Sequence, residues 1–557
     1  MSKRRTIDEN LIRVFATLCD EVGSEFSERA KKLVLSGDFE GYLNLQVDPN
    51  AYYTFLDYHK DNAVRCFLRK YPKLPIKRDL SREAEDKFFV LERENYQTNR
   101  RLSKHLLSQG PFETPGDLII DEFLRRVKVK VSKMLGRLPN VLLGKFGKGA
   151  TFSDKGRDVL LPNKMSSKPT MTSDVSGLTQ FFWETAWGVA VMSDRKTPYL
   201  VRGNRFLSVP KDATKNRGIC VEPSVNVFLQ LAVGSHIKAN LKRKFGIDLY
   251  EAQPIHRALA RHSSYYGGLG TLDLSDASDR ISLNLAKALL PSEWFDLLDS
   301  LRSKNTLIRG SWHRNEKFSS MGNGFTFEVM TVILFALCWE ACERRGLDIL
   351  FQENVAVFGD DIIAPTPVCE DLLSILPYLG LKVNEEKSFI TGRFKESCGG
   401  DYLDGQAVRP YYVKEEPNEP QQWIAIANGI RRMGIDHGEN RGHPNVFIRS
   451  WRRALACLPG HIRKLRGPSE LGDLVIHDDF EHWYGAYPSG ERRSTFRETP
   501  DARRFVRGLL PCTRPRKLSH YRPEVQLACA LYGVPSSGVV PRGEVAGYKL
   551  KWVAIGY

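Results

Sequence analysis

The sequence predicts an α+β fold, a sheet domain covered by helices, and three observations carry that prediction. Strand-like runs near residues 270 and 357 alternate with amphipathic segments around 283–302 and 326–345, the pattern of a sheet packed against helices. The stretch VAVFGDDIIAP, residues 355–365, sets β-branched and apolar residues on both sides of a Gly-Asp pair. It reads as two short strands joined by a tight hairpin. The chain has 557 residues, 42% of them hydrophobic and 27% charged, enough for several subdomains around a large buried core.

Taken in order, residues 1–80 read as helical and mixed in charge, ending at the proline-punctuated KYPKLPIKR. Residues 81–230 alternate basic segments with glycine-containing loops, and residues 231–405 hold the alternating strands and helices. Within that region MTVILFALCW, from Met330, is about half a membrane span and predicts a buried core helix. After about 405 the chain becomes rich in Arg, Pro and Trp. Residues 491–522 carry ten Lys or Arg against three acids, which makes either a surface that tracks phosphates or a solvated basic face. Arg503 and Arg504 are the pair singled out there as RNA contacts.

Charge and cysteine usage narrow the class. Lys plus Arg total 82 against 66 Asp plus Glu, a net of +16. That surplus suits a polyanionic partner, most simply nucleic acid, although a merely soluble basic protein carries the same sign. None of the ten cysteines forms a CxxC pair, so the expectation is reduced, mostly buried thiols and no zinc site. The opening MSKRRTIDENLIRVF has charges and no apolar run, so no signal peptide and no membrane attachment are expected.

The chemistry-bearing residues start at the hairpin. Asp360 and Asp361 are adjacent like charges at its tip, an arrangement that favours a bound hard cation, whereas Gly and Asp are also ordinary turn residues. A metal site needs a third carboxylate, and GTLDLSDASDRIS, from Gly270, offers Asp273 near the end of an apolar strand. A carboxylate there is costly unless paired or metal-bound. A helix is expected to start near Ser278 or Asp279, capped by one of them. Carboxylates on neighbouring strands can hold two Mg²⁺ ions about 3.5–4 Å apart, which serve an attacking hydroxyl and a leaving pyrophosphate.

Cationic help for phosphates is offered by VPKDATKNRGICVEP, residues 209–223, a loop-like segment with Lys211, Lys215 and Arg217. SSMGNGFTFE places Gly322 and Gly324 around Asn323, with Thr326 after them. The glycines let backbone approach a ligand, and Asn323 can bond a sugar. LKVNEEKSF supplies Lys387, a candidate proton donor to departing pyrophosphate. FKESCGG, from Phe394, is a candidate hairpin near a primer end. GKFGKGATFS, from Gly144, lacks the GK[ST] of a P-loop.

The order basic loop, Asp strand, Gly-Asn loop with helix, GDD hairpin and Lys turn resembles the motifs of viral RNA-dependent RNA polymerases. More narrowly, DLSDASDRIS, MGNGFTFE, FGDDII and FKESCG resemble the replicase β subunit of the small single-stranded RNA phages, the leviviruses. The resemblance is strong from about 205 to 412 and thinner outside; GKFGKGATFS also resembles a family loop.

It implies a right-hand polymerase with an antiparallel-sheet palm. Residues 1–80 would be an N-terminal helical region, 81–230 the fingers, 231–405 the palm with its catalytic core at about 259–393, and 406–557 the thumb and basic C-terminal region. Residues near 300–318 would be a fingers insertion. Asp273, Asp360 and Asp361 match the family's Mg²⁺ ligands, with Mn²⁺ able to substitute. Lys211, Lys215 and Arg217 fall where fingers meet the incoming triphosphate, and Lys387 matches the motif lysine. Ser278, Asp279 and Asn323 are the candidates for sensing ribose.

Two departures stand out: Phe358 occupies a position that is often Tyr, and Ser278 one that several viral polymerases fill with Asp. The implied partners are RNA template and product, ribonucleoside triphosphates, host elongation factors Tu and Ts, and a small-subunit ribosomal protein, in the cytoplasm of an infected bacterium. A reverse transcriptase sharing the palm is the competing enzyme. A non-catalytic RNA-binding protein explains the charge but leaves Asp273 and the hairpin unexplained.

Overall fold

The computed structural model describes residues 7–106, 114–147, 149–155, 160–435, 446–479, 482–483, 485–486, 505–513, 521–532 and 545–555. Two large hydrophobic cores organise them. The first lies under the central sheet and around the helix Thr326–Arg344. That helix is apolar on almost every side, which requires burial all round, and it packs against the helices Pro115–Leu135 and Ser224–Phe245. The second core joins chain ends far apart in sequence. Leu11, Val14, Phe15 and Leu18 of the helix Glu9–Val22 pack with Ile424 and Ala427 of Pro420–Ile435 and Ala454 of Ile448–Ala456.

Local chemistry explains the helix ends. Asp8 accepts from the Leu11 amide at 3.0 Å and Gly23 closes the same helix at φ 67°, a capped start and a left-handed stop. Residues 80–135 differ from the sequence reading. In place of basic segments and glycine loops they contain two long helices, Leu80–Leu102 and Pro115–Leu135. The first was obscured because its buried stripe is half polar: Leu80, Ala84, Phe88 and Leu91 continue into Asn95, Thr98 and Asn99. Those amides are buried because they bond other segments, Asn95 to the carbonyl of Asp279 and Asn99 to that of Glu316.

The central sheet has the order Lys382–Val383, Leu269–Ser275, Asp361–Pro365, Ala356–Phe358, antiparallel throughout. A second four-stranded sheet contains the hairpin Asn204–Pro210/Asn216–Val221. The later hairpin Asn305–Ile308/Ser311–Arg314 joins it through a short parallel pairing at Asn204 and Arg205. Residues 209–223, read as loop-like, are thus largely strand, and only 211–215 form the loop. Phe394–Ser397 and Gly400–Leu403 make the hairpin expected at FKESCGG. All ten cysteines are free, and no helix among the described residues is long and apolar enough to cross a membrane.

Candidate active site

The site is built on one register. Strand Leu269–Ser275 runs antiparallel to Asp361–Pro365 with Asp273 directly opposite Asp361, so their side chains leave the same face of the sheet. Asp361 also pairs with Phe358, which leaves Gly359 and Asp360 as the two-residue loop. The sequence reading placed both acids at the tip; Asp360 is there, whereas Asp361 is the first residue of its strand. Gly359 has φ 64°, and a Cβ on it would come within 2.6 Å of the Phe327 ring, so only glycine closes this hairpin. Its amide donates to Thr331 Oγ1 at 3.0 Å, tying the loop to the buried helix. Phe358 stacks edge-on against Phe327 with centroids 4.8 Å apart, an apolar contact in which no phenol is needed.

Burial and mutual repulsion set the electrostatics. Desolvation, reinforced by Asp360 and Asp273, pushes the Asp361 carboxyl up to about 7, against a hydrogen bond from Cys398 that lowers it. The Cys398 thiol donates to Asp361 Oδ2 at 3.3 Å. Asp273 is also raised, by burial first, with Lys387 and a hydrogen bond from Asn384 pulling the other way. Asn384 Nδ2 donates to Asp273 Oδ2 at 2.6 Å, and the Asp273 amide donates to Ser388 Oγ at 3.1 Å. Among the described residues no lysine or arginine lies within ion-pair distance of Asp273, Asp360 or Asp361. Three clustered carboxylates without a cation are a donor set that fits hard divalent ions. Their oxygens are not all within 4.8 Å of one another, as those of Asp478, Asp479 and His482 are.

A cavity of about 360 Å³ is lined by Asp273 and Asp360 and also by Lys211, Lys215, Arg217 and Lys387. The hairpin loop 211–215 is shaped by Asp212, whose carboxylate accepts from the amides of Thr214 and Lys215. Its tip is anchored by Ala213, whose amide donates to the carbonyl of Arg69 at 2.9 Å. Burial lowers the Lys211 pKa, and repulsion from Lys215, Arg217 and Lys387 lowers it further. For Lys387 burial also works downward, but Glu396 and Asp273 outweigh it and the net shift is upward; its Nζ sits 3.0 Å from Glu396 Oε1. Arg217 lies on a strand opposite Val209 rather than in a loop.

The remaining candidates line the same cavity. The short helix Ala277–Arg280 begins after Asp276, which occupies the cap position at φ 54°. The sequence reading gave that position to Ser278 or Asp279; a left-handed Asp ends the strand two residues earlier. Ser278 Oγ is buried with no partner, and so is Asn323 Nδ2. Asp279 is held by Lys317 at 2.8 Å. Lys317 is itself buried between Asp279 and Glu92; burial depresses its pKa, yet those acids leave it raised overall.

The glycines of the Asn323 loop were expected to admit a ligand, and their close approach is first to the chain itself. A Cβ on Gly322, at φ 114°, would meet the Cys220 carbonyl at 2.2 Å, and one on Gly324 would meet the Leu231 amide at 2.8 Å. Thr326 caps inward, its hydroxyl bonding the Ser320 carbonyl. Arg503 and Arg504 lie outside the described residues. Glu92, Lys317, Asn384 and Cys398 were not singled out in the sequence. Asn384 and Cys398 left a trace, one in LKVNEEKSF three residues before Lys387 and the other in FKESCGG.

Acids and cations around one cavity are what nucleotidyl transfer requires, and comparison with known proteins identifies the class. The family described as "RNA replicase, beta-chain" matches residues 43–463. The RNA-directed RNA polymerase subunit beta of Enterobacteria phage SP is 31% identical over 475 residues, 83% of this chain and 81% of that one. That of Escherichia virus Qbeta is 33% identical over 416 residues, 73% of this chain and 67% of that one. The beta chain of Escherichia phage MS2 is 39% identical over 262 residues, 47% and 46% of the two chains. A solved human picorbirnavirus RNA-dependent RNA polymerase covers 49% of this chain and 59% of its own at 15% identity. Its TM-score is 0.32, too low to bear on the fold. The chain therefore belongs to the RNA replicase β-chain family of the RNA phages. It is an RNA-directed RNA polymerase, with an RNA template and nucleoside triphosphates as its substrates.

Proposed function

We propose that Asp273, Asp360 and Asp361 form the metal-binding floor of a two-metal nucleotidyl-transfer site, and that Lys211, Lys215 and Arg217 receive the incoming triphosphate. The observation that carries this reading is the register pairing of Asp273 with Asp361, with no lysine or arginine in ion-pair contact among the described residues, beside a cavity that Asp273 and Asp360 line together with Lys211, Lys215 and Arg217. Bound Mg²⁺, or Mn²⁺ in its place, would supply Lewis acidity to the attacking 3′-hydroxyl and charge neutralisation to the leaving pyrophosphate. The protein's own groups orient the reactants. Asn384 and Ser388 fix Asp273, and the loop anchored at Ala213 fixes the phosphate-facing lysines. Lys387, whose shift is upward, keeps its proton and can pass it to the departing pyrophosphate.

Ribose selection falls to Ser278 Oγ and Asn323 Nδ2, two buried groups without partners beside the same cavity, with Asp279 held behind them by Lys317. A site that bonds a hydroxyl rejects a sugar lacking it, because its own polar groups then stay unpaired. The competing reverse-transcriptase reading needs a bulky side chain near Ser278, where the chain has a small one. Steady-state incorporation of GTP against dGTP opposite a template C tests this. A strong preference for GTP is expected, and Ser278→Phe should depress GTP use more than dGTP use. A wild-type enzyme that uses both equally overturns the reading.

In this reading the central sheet is the palm and the sheet containing Asn204–Pro210 belongs to the fingers, with residues 305–314 as their insertion. The thumb follows residue 405. The basic region around Arg503 and Arg504 tracks RNA phosphates. Changing both to Ala should then flatten the salt dependence of template binding by roughly 0.7 per lost contact on single strands, and an unchanged slope overturns that assignment. By the family resemblance, elongation factors Tu and Ts and a small-subunit ribosomal protein complete the enzyme in the cytoplasm of the infected bacterium. Full, stable initiation by the isolated chain on a long template would contradict this.

A further inference from the structure

Strand Phe394–Ser397 carries a lysine that the chemistry above does not use. Lys395 is 1% exposed, and no carboxylate lies within ion-pair distance of it among the described residues. Its Nζ donates instead to two backbone carbonyls, Phe389 at 3.1 Å and Ile390 at 2.8 Å. A buried ammonium without a counter-ion is costly, and an apolar side chain would fill the same slot at no such cost.

What the ammonium holds is the segment that supports the catalytic strand. Phe389 exchanges both backbone bonds with Thr271, at 2.7 and 3.0 Å, two residues from Asp273. Ser388 accepts from the Asp273 amide, Asn384 bonds the Asp273 carboxylate, and Lys387 lies between them. The clamp therefore closes on the turn that places both Asp273 and Lys387.

We propose that Lys395 is a positioning residue for nucleotide addition, its ammonium clamping residues 388–390 against the strand that bears Asp273. The inference rests on the roles given to Asp273 and Lys387 above. The surroundings make the clamp sensitive to protonation. Burial lowers the Lys395 pKa to about 8, opposed only by Cys369. Cys369 faces it from the helix Thr366–Ile375, and its own pKa is pushed up to about 12 by burial, so that thiol stays neutral. Tyr402, directly across the hairpin, carries a phenol whose pKa burial raises, and His256 of the packed helix Ala252–Tyr266 is lowered to about 4 by burial, so both stay neutral in this range. Thr271 and Gly270 present no charge from the strand side, and Glu396, the neighbour on its own strand, pairs with Lys387.

The test compares wild type with Lys395→Met, of similar length and without charge, in single-nucleotide addition from pH 6.5 to 9.5. At pH 7 the variant should lose about tenfold in kcat through misplaced reactants, with KM for GTP and RNA affinity within about twofold. The wild-type advantage should shrink as pH rises through 8, because the wild-type clamp then loses its charge too. In wild type alone, amide protection at Phe389 and Asn384, corrected for intrinsic exchange, should fall between pH 7 and 9. A variant with normal kcat, or an advantage that stays constant across this range, overturns the proposal. So does protection that does not change. If Asp360→Asn abolishes synthesis while Lys395→Met is neutral, only this inference fails; if Asp360→Asn is active, the reading of the site fails instead.

Discussion

Two acidic clusters in this molecule look alike in composition and differ in what surrounds them. Asp478, Asp479 and His482 bring their ligand atoms within 4.8 Å of one another, tighter than Asp273, Asp360 and Asp361. Yet Asp478 is bonded by Arg431 at 3.2 Å and Arg466 at 3.0 Å, and Asp479 by Arg431 at 2.9 Å. Both guanidiniums stack on Trp451 at 5.0 Å. That charge is already neutralised, and an arriving cation would meet two others. The hairpin carboxylates have no such partners among the described residues; Asp360 and Asp273 raise the Asp361 pKa, and Asp360 raises that of Asp273. Distance between acids alone therefore does not make a metal site, since cations that already neutralise them, as the two arginines do here, leave no charge for an ion to balance.

The sharpest way to break this comparison is to neutralise one acid in each cluster. Asp360→Asn should lower RNA synthesis by about a thousandfold or more while template binding survives, since the loss falls on transition-state stabilisation. Asp479→Asn should leave synthesis within about twofold, because an exposed ion pair contributes little. Near-normal synthesis by Asp360→Asn, or its loss in Asp479→Asn, would reverse the assignment.

The next effect concerns stability and pH. In the folded protein the Asp361 carboxyl titrates at about 7, against 3.8 as its ordinary value. Between those pH values the folded state holds a proton that the unfolded state has lost. The group thus favours folding below pH 4, and that advantage is lost as pH rises through 7. The change is at most roughly 4 kcal/mol, trimmed by the residual exposure of the side chain. A divalent cation removes the repulsion behind it, so Mg²⁺ should raise the thermal midpoint more at pH 8 than at pH 5. Asp361→Asn should reduce that difference, and equal Mg²⁺ shifts at both pH values in wild type would contradict it.

A smaller effect is expected from the other cluster. Arg431→Met leaves Asp478 buried with Arg466 as its remaining guanidinium partner. Stability should fall by about 3 kcal/mol, read from the denaturation midpoint, with the rate per folded molecule nearly unchanged. A variant that stays stable but loses synthesis would give this cluster a role in the chemistry.

Legibility in the sequence followed locality. The GDD hairpin and the strand bearing Asp273 were readable because a two-residue loop and a short apolar strand are local decisions. The helix Thr326–Arg344 was readable from its uninterrupted apolar run. The helix Leu80–Leu102 was not, since Asn95 and Asn99 are buried only because distant carbonyls await them. Lys317 likewise reads as one more surface lysine until Glu92 and Asp279 close on it. Ser278 was singled out for its place five residues after Asp273. Its lack of any partner is a tertiary fact, as is the pairing of residues 305–308 with a strand a hundred positions earlier.

The anchor at Ala213 has a consequence for the order in which the molecule can be made. The loop carrying Lys211 and Lys215 hangs on the carbonyl of Arg69, and Ala213 is buried in a core that also takes in Leu11, Ile424, Ile476 and Leu509. A ribosome releases the helix Glu9–Val22 of that core first, the helices Pro420–Ile435 and Ile448–Ala456 much later, and Leu509 later still. A nascent chain halted at residue 405 would already contain Asp273, Asp360 and Asp361. The scaffold holding the lysines that line the same cavity would still lack a large part of its core. The core that steadies the lysines proposed for the triphosphate is thus completed only after residues beyond 405 have been made, and chains truncated there carry the acids without it.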